Sequence, residues 1–126
     1  MQKELIICST LLIETSPQAL PLGAACIASA LKNDLLTKDK FEVKLISQSL
    51  EDIANKKIDD VALYFANILL EQNPKYLCFS VYVWNRNLIE QTAKVIKQKS
   101  ANIVIIAGGP EVTANPLSFE NFDYTI

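Results

Sequence analysis

The chain has 126 residues, half of them hydrophobic, which is room for one domain with one well-filled core. A net charge of −2 with interspersed signs excludes a basic stripe for nucleic acid or for an anionic membrane surface. No apolar run approaches the ~18–20 residues of a membrane span, residues 1–8 lack the pattern of a signal peptide, and three widely spaced cysteines in apolar contexts suit reduced thiols, so a cytoplasmic domain is expected.

In chain order, Glu4 to Cys8 reads as a first strand, followed by a loop, Ser9–Leu20. Pro21 suits the first turn of a helix, which the pattern extends from Leu22 to Leu36. Leu22, Cys26, Ser29 and Ala30 form its expected small-residue face. Phe41 to Ile46 alternates as a second strand. Ile58, Val61, Ala62, Phe65, Ile68 and Leu69 then recur at three- and four-residue steps, a helical stripe that Asn73-Pro74 stops. Tyr76 to Val81 is a third strand, and Leu88 to Lys99 a helix with Ile89, Ala93 and Ile96 inward and Lys94, Lys97 and Lys99 as a solvated end.

Ala101 to Ala107 reads as a fourth strand buried on both faces, opening into Gly108-Gly109. A helical turn near 116–121 leads into a fifth strand from Phe122 to Ile126. Alternating strands and helices imply a parallel sheet with helices on both faces. The expected fold is therefore flavodoxin-like, or Rossmann-like: a three-layer α/β/α domain with a five-stranded sheet in the order 2-1-3-4-5. That order brings the loops after the first, third and fourth strands to one rim, where such sheets bind ligands.

The residues at this rim exclude several ligands. A dinucleotide or P-loop site needs glycines after the first strand, yet none occurs between Cys8 and Gly23. A phosphorylated receiver needs acidic residues where Cys8-Ser9-Thr10 and Ser80-Val81-Tyr82 stand. Ser9, Thr10, Thr15 and Ser16 only faintly imitate a flavin-phosphate loop. The chain has no histidine, which removes histidine-based triads and most transition-metal sites, and its cysteine spacings fit no zinc or iron–sulfur pattern. There remain hydroxyls at Ser9, Thr10 and Ser80, aromatics at Tyr82 and Trp84, amides at Asn85 and Asn87, and the paired glycine. That set suits a large flat ligand carrying amide groups.

Four segments in order carry a resemblance. Pro21-Leu-Gly-Ala-Ala-Cys-Ile-Ala-Ser-Ala-Leu31, Phe79-Ser-Val-Tyr-Val-Trp-Asn85, Gly108-Gly-Pro-Glu-Val-Thr-Ala114 and Phe122-Asp-Tyr124 resemble the amino-terminal cobalamin-binding domain of radical S-adenosylmethionine (SAM) proteins. The type in view is the magnesium-protoporphyrin IX monomethyl ester oxidative cyclase. The resemblance implies that residues 1–126 form a cobalamin-binding domain of a longer protein, not catalytic alone. Its partners would be the corrinoid and a following radical SAM barrel of the same chain, with no nucleic acid and no membrane. A [4Fe-4S] cluster and SAM would belong to that barrel, because Cys8, Cys26 and Cys78 cannot form its Cys-x-x-x-Cys-x-x-Cys loop.

Cofactor contacts carried over are Ser80, Gly108 and Gly109 for the nucleotide tail and Tyr82, Trp84 and Asn85 nearer the corrin. Ser9, Thr10 and Glu111 complete the candidate rim, with no catalytic residue and no protein metal ligand. The methionine-synthase type ligates cobalt through the histidine of an Asp-x-His-x-x-Gly motif. With no histidine in this chain, bound cobalamin is expected base-off and free of a histidine ligand, for methyl transfer or radical chemistry. Two other readings stand beside this one: a cofactor-free flavodoxin-like interaction module, and a flavin-mononucleotide domain weakened by the missing phosphate loop. On the plainer view of single residues, the cysteines are small core residues, Ser80 caps a strand end, and the glycines make a turn.

Overall fold

The computed structural model describes residues 3–12, 21–49, 55–114 and 120–126. Five strands alternate with four helices: β1 (Glu4–Leu12), α1 (Leu22–Asn33), β2 (Phe41–Ser49), α2 (Ile58–Glu71), β3 (Tyr76–Ser80), α3 (Arg86–Lys99), β4 (Val104–Gly108), α4 (Pro110–Ala114) and β5 (Tyr124–Thr125). All pairings are parallel, in the order β2-β1-β3-β4-β5, as the alternation predicts.

The two faces of this sheet are unequally covered. On one, Leu5, Ile7 and Leu11 of β1, Leu77 and Phe79 of β3, and Ile105 and Ala107 of β4 pack against α2, α3 and Val112 of α4. The helical stripe delivers Val61, Ala62, Phe65, Ala66 and Leu69 from α2, and Leu88, Ile89, Ala93 and Ile96 come from α3. On the other face a smaller cluster joins Ile6, Cys8 and Val43 to Ala24 and Ala28 of α1. α1 packs on β1, β2 and β3. Beyond it Val104 and Ile106 stay partly open, so β4 alternates buried and half-buried and is not covered on both faces. Its aliphatic run could not reveal this, because burial on one face or on two asks for the same residue types.

Other boundaries differ from expectation: β2 runs on to Ser49, β4 starts at Val104, and β5 is confined to Tyr124–Thr125. β1 does not stop at Cys8: it stays paired with β2 as far as Leu12 opposite Ser49, so Ser9 and Thr10 are strand residues. α1 turns Ala24 and Ala28 inward, while Leu22, Cys26, Ser29 and Ala30 face solvent. Small apolar residues occur all around this helix, and the four-residue step of the two alanines is the one that meets the sheet. It ends at Asn33, three residues early, where Asp34 turns extended and its side chain accepts from the Leu36 amide at 2.8 Å. Finally, a short helix follows Gly109 at once, whereas the turn expected near 116–121 falls largely outside the described residues.

α2 ends where Asn73 takes a left-handed φ of 57° ahead of Pro74, and its amide bonds the Leu70 carbonyl at 3.0 Å. At the end of α3, Lys97 is not simply solvated: it donates to the Ile103 carbonyl at 2.6 Å and pairs with Asp123. Asp123 also accepts the Ile105 amide at 2.8 Å, which pins the start of β5 to β4. Partial desolvation raises the pKa of this carboxyl, but the Lys97 hydrogen bond, the Ile105 amide and the Lys97 charge outweigh it and hold Asp123 below its ordinary range. A carboxyl depressed in the folded state stabilises above its unfolded value and loses that effect as pH falls through the folded one. Asp123→Asn is therefore expected to flatten a small part of the stability loss below about pH 4, the ordinary carboxylate range. Parallel urea titrations at pH 3 and pH 7 check this, and an unchanged pH slope would rule it out. The effect is small because the carboxyl is partly exposed. No described helix is long and apolar enough to cross a membrane.

Candidate functional site

The half-covered face holds a cavity of 530 Å³ beside α1. It runs from Phe41 and Tyr76 at the amino ends of β2 and β3 to Ser80, Tyr82, Gly108 and Gly109 at the carboxyl ends. The lining is mostly aliphatic and aromatic, with Cys8 and Cys78 midway and the Ser80 and Tyr82 hydroxyls at the top. Size and lining fall in the range of small-molecule sites.

Glycine shapes the upper end. Gly109 has φ +110°, and a Cβ there would stand 2.7 Å from the Val81 carbonyl oxygen. This close approach lets the Val81 amide donate to the Gly108 carbonyl at 2.7 Å, locking the ends of β3 and β4 together before α4 begins. Gly108 differs, for a Cβ there would meet nothing nearer than Ile126 at 4.0 Å. Gly23, in the first turn of α1, brings the helix backbone against the other side of the mouth, where a Cβ would lie 2.9 Å from the Tyr82 hydroxyl and 3.2 Å from that of Ser80.

The structure divides the nine candidate residues. Ser80, Tyr82, Gly108 and Gly109 line the cavity. Trp84 stands on the rim, stacked on Tyr82 with ring centroids 4.7 Å apart and planes within 2°, and Val83 beside it is 74% exposed.

The other four are built into the scaffold. Asn85 is fully buried: its Oδ1 accepts the Tyr82 amide at 2.8 Å, and its Nδ2 donates to Thr10 Oγ1 at 3.2 Å and to the Leu11 carbonyl at 3.1 Å. Thr10 in turn donates to the Ser80 carbonyl at 2.8 Å. These two side chains tie the end of β1 to the end of β3 and to the turn into α3. Ser9 has the strand parity of Leu5, Ile7 and Leu11, on the α2–α3 face, and its buried hydroxyl has no partner among the described residues. Glu111 pairs with Arg86 at 3.1 Å, and Arg86 reaches Glu90 at 3.4 Å, which joins α4 to α3.

The sequence reading did not single out the middle of the cavity. Cys8 and Cys78 are directly paired across β1 and β3, with both thiols on the α1 side. The Cys8 thiol is pushed well up, first by the neighbouring Cys78 thiol and then by burial, while Cys8 pulls Cys78 down against its own burial. Strand order 2-1-3 already makes β1 and β3 neighbours, so aligning their apolar runs was the signal available for this pair.

A five-stranded parallel sheet in this order, with α1 on one face and α2, α3 and α4 on the other, is the flavodoxin-like α/β class that also serves cobalamin-binding proteins. The fold matches a crystal structure of a cobalamin-binding protein from Desulfitobacterium hafniense DCB-2 with a TM-score of 0.57 and 17% identity, covering 98% of this chain and 52% of that one. In sequence, a cobalamin-dependent radical SAM methyltransferase, TokK of Streptomyces tokunonensis, is 39% identical over 46 residues, which are 36% of this chain and 7% of that protein. No family profile matches the chain.

Proposed function

We propose that this domain binds a corrinoid, with the nucleotide tail in the cavity beside α1 and the corrin over the carboxyl ends of the strands. The observation that carries the reading is the cavity itself, which reaches the rim at the paired glycine, where a Cβ on Gly109 would strike Val81. A flat aromatic base fits an apolar slot between a sheet and a helix of small residues, and the Ser80 and Tyr82 hydroxyls stand at its mouth to bond the polar tail. The stacked Tyr82–Trp84 pair would then offer its apolar faces to the ring. Both likenesses, in fold and in sequence, support the same ligand class.

With its tail drawn into the cavity the cobalamin would be held base-off, and the chain has no histidine to supply an imidazole in its place. The cofactor, when bound, supplies methyl transfer or radical chemistry, and this chain's residues supply position and seclusion. The likeness to a methyltransferase favours methyl transfer over an oxidative cyclase reaction. A [4Fe-4S] cluster and SAM would act in a barrel elsewhere in the full-length protein.

Titration with hydroxocobalamin tests the reading, followed by its visible spectrum and by quenching of Trp84, the single tryptophan. Saturable binding with a base-off spectrum is expected. It should be lost in Gly108→Phe, whose side chain enters the cavity from a position with open space around it. Binding that Gly108→Phe leaves intact would remove the cavity from the reading. No binding to a folded protein that includes any following barrel would overturn it.

A further inference from the structure

We propose that Cys8 and Cys78 form a two-sulfur site for a soft, two-coordinate d¹⁰ cation, copper(I) in particular. The proposal does not rest on the corrinoid reading and concerns the middle of the cavity, below the glycine rim. The parallel register sets Cys8 opposite Cys78, and both belong to the apolar cluster beneath α1. Cys8 is fully buried and Cys78 half-buried, and both belong to the cavity wall. The register places the two residues directly opposite each other on neighbouring strands and on the same face, so the ladder itself assembles the pair.

The surroundings choose the cation. Thiolate sulfur favours copper(I) over hard divalent ions, which want oxygen or imidazole. A tetrahedral zinc site needs four ligands. Among the described residues no third cysteine, aspartate or glutamate joins the pair. Ile6, Ala24 and Leu31 around it are apolar and bring no competing donor. Two sulfurs complete the linear coordination of a two-coordinate d¹⁰ ion, and copper(I) is the one such ion among the first-row metals that thiolates select. On binding, each thiol loses its proton to solvent as a sulfur–metal bond forms, and copper stays in the +1 state.

The test is a titration of the whole chain with copper(I), without oxygen and against a chromophoric copper(I) chelator, followed by X-ray absorption of the one-to-one complex. One copper per chain with two sulfur neighbours is expected. Cys8→Ala and Cys78→Ala should each weaken binding by more than the about 100-fold that loss of an outer-shell partner costs, while Cys26→Ala, on the exposed side of α1, changes nothing. Zinc in excess should not displace the copper. Should either core variant fail to fold, iodoacetamide labelling of the wild-type complex decides instead. Copper is expected to protect the half-buried Cys78 from alkylation and to leave the exposed Cys26 reactive. A nitrogen- or oxygen-dominated shell, protection of Cys26, or undiminished affinity in a folded Cys78→Ala protein would overturn the site.

Discussion

Asn85→Ala is expected to lower the unfolding free energy by about 3 kcal/mol, because it strips partners from buried groups that cannot reach water. The Tyr82 amide loses its acceptor, the Leu11 carbonyl loses a donor, and Thr10 keeps only its bond to Ser80. Asn85→Asp should be worse at neutral pH. One oxygen can still accept from Tyr82, but the other faces the Leu11 carbonyl and Thr10 with a buried negative charge. Such a carboxyl has its folded-state pKa raised, so its share of stability is present below the unfolded value near 4 and lost as pH rises. The aspartate variant should thus recover toward the wild type between pH 7 and pH 4, while the alanine variant should not. Urea midpoints at the two pH values measure the contrast. A residue that served only to touch a ligand would give wild-type midpoints in both variants.

Gly109→Ala is expected to cost about 4 kcal/mol, combining a positive φ that alanine resists with a backbone collision. The struck atoms are the carbonyl oxygen and amide nitrogen of Val81, at 2.7 and 3.0 Å, and neither can swing aside as a side-chain end would. Relief would require β3 and β4 to part at the point where Val81 and Gly108 are bonded. Gly108→Ala, one residue earlier and unstrained, should change stability by no more than about 1 kcal/mol. Chemical denaturation of the two variants side by side separates them, and equal losses would show that the turn tolerates a side chain. The ordering also explains why a blocking substitution belongs at Gly108: it fills the cavity without disturbing the joint above it.

Strand order and the helical stripes of α2 and α3 were legible because each depends on a local period that the sequence displays directly. Val61, Phe65 and Leu69 can serve no other face. The α1 face was not legible, since Ala24 and Ala28 differ little in hydropathy from Cys26 and Ala30, and the sheet's shape makes the choice. Residue type also hid the length of β1, because Ser9 and Thr10 look like loop residues and are held in the ladder by β2.

At the site, the glycines and Ser80 were readable from their position after a strand, and Tyr82 with them. Thr10 and Asn85 looked the same from sequence, because a polar side chain at a rim reads alike whether it faces a ligand or closes the backbone beneath one. Only the pairing of β1 with β3 separates the two roles. The cysteine pair needed that same register.

The unequal burial of the two faces has a kinetic consequence. α1 buries only Ala24 and Ala28 completely, side chains that contribute little apolar area, whereas α2 and α3 each bury five. Local openings start where the least area is lost. Amide hydrogens of α1 should therefore exchange through excursions much smaller than global unfolding, while those of β3 and α3 wait for the whole domain to open. Because α1 is also one wall of the cavity, the same excursions would admit anything too large for its mouth, and the rate of entry would then be governed by a helix lifting rather than by diffusion.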